Sequence, residues 1–448
     1  MQPAHPLEQS IGMEFYCTDT PGIGGRLRSR FEDFVVEEIT PTGNILEVKE
    51  WPTEAMVGEK EPIQGTPSKY VQLTVQKMGL STLDLATIVA AATKVPRHLV
   101  SYAGLKDKRA VTVQVMSLPA HAFKSLEQTH LSRIAIRAPQ YVRRPVRVGD
   151  LWGNRFTVLL RGMEADCNTA LALADSLGRQ SILNYFGVQR FGVTRPFTYL
   201  IGKSLVKKDY DGAVRMMLSR VIPEEQVESV ERQLGAAEDL APEEVSSDSS
   251  SNGVLYERAV AQYLAKHPGD YFGAMTKVAP RVLTILVHSY QSYLFNRLIS
   301  LRAKNGLSIH EPEPGDFLIQ LDQTHSGRDS WLFVTERKLE ECRRLVESGS
   351  HGLAAPVPGY STKIPPSRQS DLLKQILRAE GLYLREFRNV QVRSLDSPGG
   401  LHLVSIQPIG MKAQCDGDCL MLRFSLRKGS YATVVLRELM KADPTGLA

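Results

Sequence analysis

Segments in which apolar and polar residues alternate strictly occur near both ends of this chain, and long helical patterns lie between them. Tyr70–Gln76 sets Val71, Leu73 and Val75 against Tyr70, Gln72, Thr74 and Gln76. Met421–Leu426 sets Leu422, Phe424 and Leu426 against Arg423 and Ser425. Period two is the spacing of a strand with one buried face. Phe34–Glu38, Ala110–Met116 and Phe156–Arg161 read as strands too, by their valines, threonines and phenylalanines. From about Asn184 to Gln407 the pattern is helical, as in the stripe Val287, Tyr290, Leu294 and Leu298. One α+β domain begun at the start of the chain and closed by a returning strand and helix, with a large insertion between, accommodates both observations.

Local signals fill in this outline. Ser81 followed by Asp84 has capping-box spacing, and Leu85, Ile88, Val89 and Ala92 form the stripe of a helix that Pro96 ends. A closing helix is expected over Tyr431–Lys441, after Gly429-Ser430. The stretch Ala236–Gly253 is acidic and then serine-rich, which suits a mobile surface loop. Pro356, Pro358, Pro365 and Pro366 suggest another irregular, exposed segment.

Composition excludes several classes. With 448 residues, 42% hydrophobic and 23% charged, the chain is an ordinary globular one of two or three domains. The greasiest stretches, Leu83–Ala92 and Leu283–Leu301, are broken by polar residues, so no membrane span is expected, and the first thirty residues lack a secretory pattern. Five cysteines make an odd, sparse set, which suggests free thiols in a reducing cytoplasm, and Cys415 and Cys419 around Gly417 read as a turn rather than a zinc site. No phosphate loop of the form Gly-x4-Gly-Lys-Ser/Thr and no His-Glu-x2-His is present, and Gly22-x-Gly24-Gly25 is too short for a dinucleotide fingerprint, so neither nucleotide cofactor nor metal is expected. A net charge of +5 permits an anionic partner without requiring one.

The run from Tyr102 to Gln114 carries the most chemistry. Asp107 stands among Lys106, Lys108 and Arg109 on a loop between a helix and a strand. Neighbouring cations favour a carboxylate over its acid, a carboxylate can act as nucleophile or base, and the same cations attract phosphate. Taken alone, Lys-Asp-Lys-Arg also fits a solvated polar turn.

Gly104-Leu105-Lys106-Asp107-Lys108-x-Ala110-x-Thr112-x-Gln114 resembles the active-site motif of the TruD family of pseudouridine synthases. Five further segments resemble that family in the same order: Phe31-Glu32-Asp33-Phe34-Val35-Val36-x-Glu38, Gly153-Asn154-Arg155-Phe156-Thr157, Asn184-Tyr185-Phe186-Gly187-x-Gln189-Arg190-Phe191-Gly192, Tyr290-Gln291-Ser292-Tyr293-Leu294-Phe295-Asn296 and Gly429-Ser430-Tyr431-Ala432-Thr433 with Leu436-Arg437-Glu438. Together they span Phe31 to Glu438. Phe31 departs from the family, many of whose members have proline there.

The resemblance implies a mixed or antiparallel sheet domain formed by residues 1–182 and 411–448, an inserted domain over 183–410, and a cleft between them. It implies an isomerase that turns uridine into pseudouridine in tRNA, usually at uridine 13, in the cytoplasm and without cofactor; with no obvious dimer device in the sequence, a monomer is the default expectation. Asp107 is then the catalytic aspartate, attacking the sugar or removing a sugar proton. Arg28 stands where the family places a basic residue that pairs with the aspartate, Phe156 where an aromatic ring stacks on the target base, and Asn154 is a polar partner for loop or base. RNA contacts are expected from Lys106, Lys108, Arg109, Arg143, Arg144, Arg147 and Arg190, and domain packing from Tyr185, Phe186, Gln291 and Asn296.

Overall fold

A computed structural model describes residues 1–51, 62–127, 131, 133–192, 196–219, 251–321 and 331–447. The strands that matter here are β1 Phe34–Ile39, β2 Tyr70–Met78, β3 Val111–Pro119, β4 Ile134–Val142, β5 Gly153–Met163, β6 Ile409–Asp416 and β7 Cys419–Arg427. The helices are α1 Thr82–Thr93, α2 Cys167–Gly178, α3 Pro280–Lys304 and α4 Ala432–Met440. All seven strands join one sheet in the order β6-β7-β5-β1-β3-β2-β4, with Gly24–Arg26 added on β5 and Ser101–Tyr102 on β3. Only β1 and β3 run parallel, Val35 opposite Val111; every other neighbour is antiparallel. The last strand of the chain thus lies directly beside β5, with Phe424 opposite Phe156.

The alternation in β7 is what the sequence leads one to expect: Leu420, Leu422, Phe424 and Leu426 are buried and Met421 and Arg423 exposed. β3 differs. All nine of its residues are buried, because it lies inside the sheet with both faces covered. Met116 and Leu118 pack with Leu85 and Val89 of α1, while Val115, on the other face by parity, packs with Ala103, Val146 and Leu151. The Ser81–Asp84 capping box forms, but α1 ends at Thr93, where Lys94 takes the left-handed conformation (φ 56°), two residues before Pro96. Its buried side is Leu85, Ala86, Val89 and Ala90; Ile88 and Ala92 lie at the rim.

Between β5 and β6 the chain builds a second unit. A four-stranded sheet, in the order Trp331–Phe333, Phe317–Gln320, His351–Val357 and Gly400–Leu403, lies with the 25-residue helix α3. The stripe of α3 is buried, and so are its polar residues Ser289, Gln291, Ser292, Asn296 and Ser300. Asn296 accepts from the Phe186 amide at 2.8 Å and donates to the Phe186 and Ile11 carbonyls at 3.0 and 3.1 Å. Ser300 donates to Gly12 at 2.8 Å. These bonds fasten the helix to the start of the chain, while Gln291 donates to Pro358 and accepts from Ser397 within the insertion.

Three expectations need revision. Pro356 and Pro358 are not exposed: Pro356 is a buried residue of the strand His351–Val357, and Pro358 is buried just after it. Of the acidic and serine-rich stretch, residues 236–250 lie outside the described residues, and the last three open the helix Ser251–Lys266. Cys167 and Cys415 are not free thiols but are joined in a disulfide with Cα atoms 5.6 Å apart, whereas Cys17, Cys342 and Cys419 are free. The pair forms because α2, which Cys167 begins, packs along β6, across a separation of 248 residues to which sequence spacing is blind. Gly417, at φ 58°, makes the turn between β6 and β7. Among the described residues no helix is long and apolar enough to cross a membrane.

Candidate active site

Pairing register places an unusual set of side chains on one face of the main sheet. Lys77 is opposite Thr112, Thr112 opposite Val36, Val36 opposite Phe156, and Phe156 opposite Phe424. Directly opposed residues share a face, and so do residues two apart along a strand. Gln114, Glu38 and Asn154 therefore join this face, with Glu38 opposite Asn154. Four of these polar residues, Lys77, Thr112, Gln114 and Glu38, are fully buried.

They hold the loop that carries Asp107. Thr82 donates to Gln114 at 3.0 Å and accepts from the Lys106 amide at 2.8 Å. Lys77 Nζ donates to the carbonyls of Leu80 at 2.5 Å and Asp107 at 2.9 Å. Burial pushes the Lys77 ammonium down to about 8, against the pull of the Asp107 charge in the other direction. Glu38 accepts from the Val115 amide at 2.9 Å with one oxygen and from Lys106 Nζ at 2.6 Å with the other.

The Asp107 carboxylate is 33% exposed and meets the guanidinium of Arg28 at 3.3 Å; the Arg28 side chain is 5% exposed. That guanidinium lies 4.3 Å from the centre of the Phe34 ring, in cation–π contact. Arg28 has φ 56°, a left-handed backbone that costs a residue with a side chain on the order of 1 kcal/mol or more and is found where surrounding structure enforces it. Arg109 helps to fix it by donating to the Arg28 carbonyl at 3.2 Å. Around the same face, three buried polar atoms have no hydrogen-bond partner among the described residues: Arg28 Nε, Thr112 Oγ1 and Asn154 Oδ1.

The other residues singled out in the sequence fall into distinct settings. Phe156 is 5% exposed, its ring 5.7 Å from Phe424 in a stacked pair and 6.1 Å from Phe34 edge-on. Lys106, expected on the RNA face, points inward instead, its side chain 2% exposed against a Glu38 that is wholly buried. A count of local charges cannot distinguish an inward lysine from an outward one. Lys108 is half-buried and Arg109 exposed on the Asp107 loop. Arg143, Arg144 and Arg147 are exposed on a loop bonded to it through Gly149 and Ala103 at 2.8 Å. Arg190 has its contacts elsewhere, near Phe186 and Ser292 in the inserted unit.

Lys77, Glu38, Thr82 and Gln114 escaped the sequence reading as site residues, although two of them carried a signal. Lys77 continues the inward parity of Val71, Leu73 and Val75, and Glu38 that of Phe34 and Val36. A charged residue on the buried parity of a strand requires a partner.

Arg28, Asp107, Asn154 and Phe156 thus gather at one face, where a partly exposed carboxylate oriented by a nearly buried cation is equipped for nucleophilic or base chemistry. Comparison with known proteins agrees in extent. The family model described as tRNA pseudouridine synthase D (TruD) matches residues 10–439. The probable tRNA pseudouridine synthase D of Methanosarcina acetivorans is 30% identical over 465 aligned positions, covering 99% of each chain. That of Natronomonas pharaonis is 33% identical over 460, covering 100% of each. The crystal structure of a putative tRNA pseudouridine synthase D from Methanosarcina mazei superposes with a TM-score of 0.72 at 28% identity, covering 99% of both chains.

Proposed function

The chain belongs to the TruD family of tRNA pseudouridine synthases and is an isomerase of uridine in tRNA, and from that premise we propose that it acts on uridine 13 with Asp107 as the catalytic residue. The observation that carries this reading is the Arg28–Asp107 pair at 3.3 Å, with the carboxylate open and the cation enclosed. The reaction breaks the bond between C1′ and N1, turns the uracil, and joins C5 to C1′; C5 loses a proton and N1 gains one, so no oxidant or energy source is consumed. Asp107 either attacks C1′ or takes the proton from C2′, and in both cases works as the anion. Arg28 keeps the carboxylate charged and oriented. Phe156 offers a ring to the flipped base and Asn154 an amide to its polar edge, in keeping with the unpartnered Asn154 Oδ1. The enzyme works in this reading as a cytoplasmic monomer without cofactor. Mapping pseudouridines at nucleotide resolution in unmodified tRNA treated with the protein tests the target; modification confined to other positions refutes uridine 13.

Arg143, Arg144 and Arg147, with Lys108, Arg109 and Arg190, supply the phosphate contacts in this reading. Exchanging the three loop arginines for glutamine is expected to weaken tRNA binding and to reduce the slope of log affinity against log salt by about 2 to 3, near one unit per lost contact. An unchanged slope assigns the loop a merely solvated role.

Lys77 sets the alkaline limit. Its ammonium, held at about 8 by burial, is a buried positive charge bonded to the Asp107 carbonyl. As pH rises through that value the charge is lost, and the favourable field at Asp107 with it. The rate should therefore fall above about pH 8, and Lys77→Met should give a slower enzyme whose profile lacks that descent. A descent that persists in the variant assigns it to another group.

A further inference from the structure

Two large aliphatic side chains stand in solvent at the lip of the site, Leu105 at 67% exposure and Val148 at 75%. Their neighbours do the opposite: Ala103, Val115, Val146 and Leu151 close into a small apolar cluster beneath them. The two loops are tied by the Gly149 amide donating to Ala103 at 2.8 Å, and Lys428 Nζ donates to the Gly149 carbonyl at 3.1 Å. On the far side of Leu105 the chain is pinned by the Lys106–Thr82 bond and by Lys77 on the Asp107 carbonyl. Leu105 is therefore an apolar tip on a fixed base, two residues from the reacting carboxylate. Exposed arginines at 109, 143, 144 and 147 lie on the same two loops.

Apolar tips among cations suit a ligand that offers both phosphate and the flat faces of bases. We propose that Leu105 is the wedge that enters the base stack as the target uridine leaves it, with Val148 as a second apolar contact from the same lip; this rests on the reading of Asp107 given above. A uridine that swings out leaves its two neighbours unstacked on one side, and an inserted aliphatic side chain restores part of the lost contact. A leucine on a pinned loop does so without first being ordered itself.

The test compares two substrates: folded tRNA, and a short RNA in which the nucleotides flanking the target uridine are abasic, so that no stack has to be opened. Leu105→Ala is expected to lower kcat/KM on folded tRNA by about tenfold to a hundredfold, with Val148→Ala smaller in the same direction, and to slow the abasic-flanked substrate far less. Leu105→Met should regain most of the loss, since an unbranched apolar chain also fills a gap between bases. Equal losses on both substrates, or no loss on folded tRNA, overturn the wedge while leaving Asp107 in place. If the wild-type protein forms no pseudouridine on either substrate, the parent reading fails and takes the wedge with it. Loss of binding to anionic phospholipid vesicles, with folded tRNA still modified at the wild-type rate, would make the pair a lipid contact and overturn the proposal.

Discussion

Replacing Asp107 by asparagine is expected to lower pseudouridine formation in tRNA by at least about a thousandfold, with tRNA affinity changed little. The substitution keeps the shape of the side chain and removes its charge, so it discriminates between a group that positions the loop and one that reacts. Both routes open to Asp107, attack on C1′ and removal of the C2′ proton, need an anionic oxygen. The loop itself is held by other bonds, Lys77 to the Asp107 carbonyl and Thr82 to the Lys106 amide, which asparagine leaves intact. Release of tritium from C5-labelled uridine in tRNA, measured in single turnover with enzyme in excess, reads the chemical step directly. A variant within tenfold of wild type would exclude Asp107 from the chemistry. Because Arg28 is only 5% exposed, the same change leaves an enclosed cation without its counter-ion, and the thermal midpoint belongs beside the rate. Adding Arg28→Met separates the effects: stability returns, activity does not.

What the sequence disclosed follows the range of the interaction concerned. The capping box at Ser81 and Asp84 lies within one turn, and the faces of β2 and β7 repeat every two residues, so short windows sufficed. The helix stop at Lys94 did not, because a left-handed lysine carries no residue signature while Pro96 does. Arg28 and Asp107, far apart in the chain, meet only because Gly24–Arg26 pairs with β5 and β1 bridges β5 and β3. Their pairing was expected from the family motif, and no charge pattern within the chain announces it. The disulfide between Cys167 and Cys415 escaped for the same reason, and so did the inward turn of Lys106. The site's supporting residues were the part most open to a stricter reading. Lys77 and Glu38 sit on inward parities, and treating each as a demand for a partner would have drawn Lys106 and the Asp107 loop toward the core.

That demand makes Lys106 the most consequential residue after Asp107, for stability as much as for rate. Lys106 Nζ lies 2.6 Å from Glu38, with both side chains out of solvent, and the second Glu38 oxygen accepts from the Val115 amide just beyond the last β1–β3 pair at Glu37 and Val113. Lys106→Met fills the space but leaves a carboxylate unpaired in the sheet. Breaking a buried pair from one side costs about 3 to 5 kcal/mol, far more than the pair contributes over an apolar replacement. The urea midpoint should fall accordingly. Activity should fall as well, since Asp107 is the next residue. Glu38→Gln added to Lys106→Met removes the stranded charge and retains an acceptor for Val115, so the double variant should recover more than half of the lost stability. Losses that simply add in the double variant would mean that the two side chains are not coupled, and that the Asp107 loop is held by Lys77 and Thr82 alone.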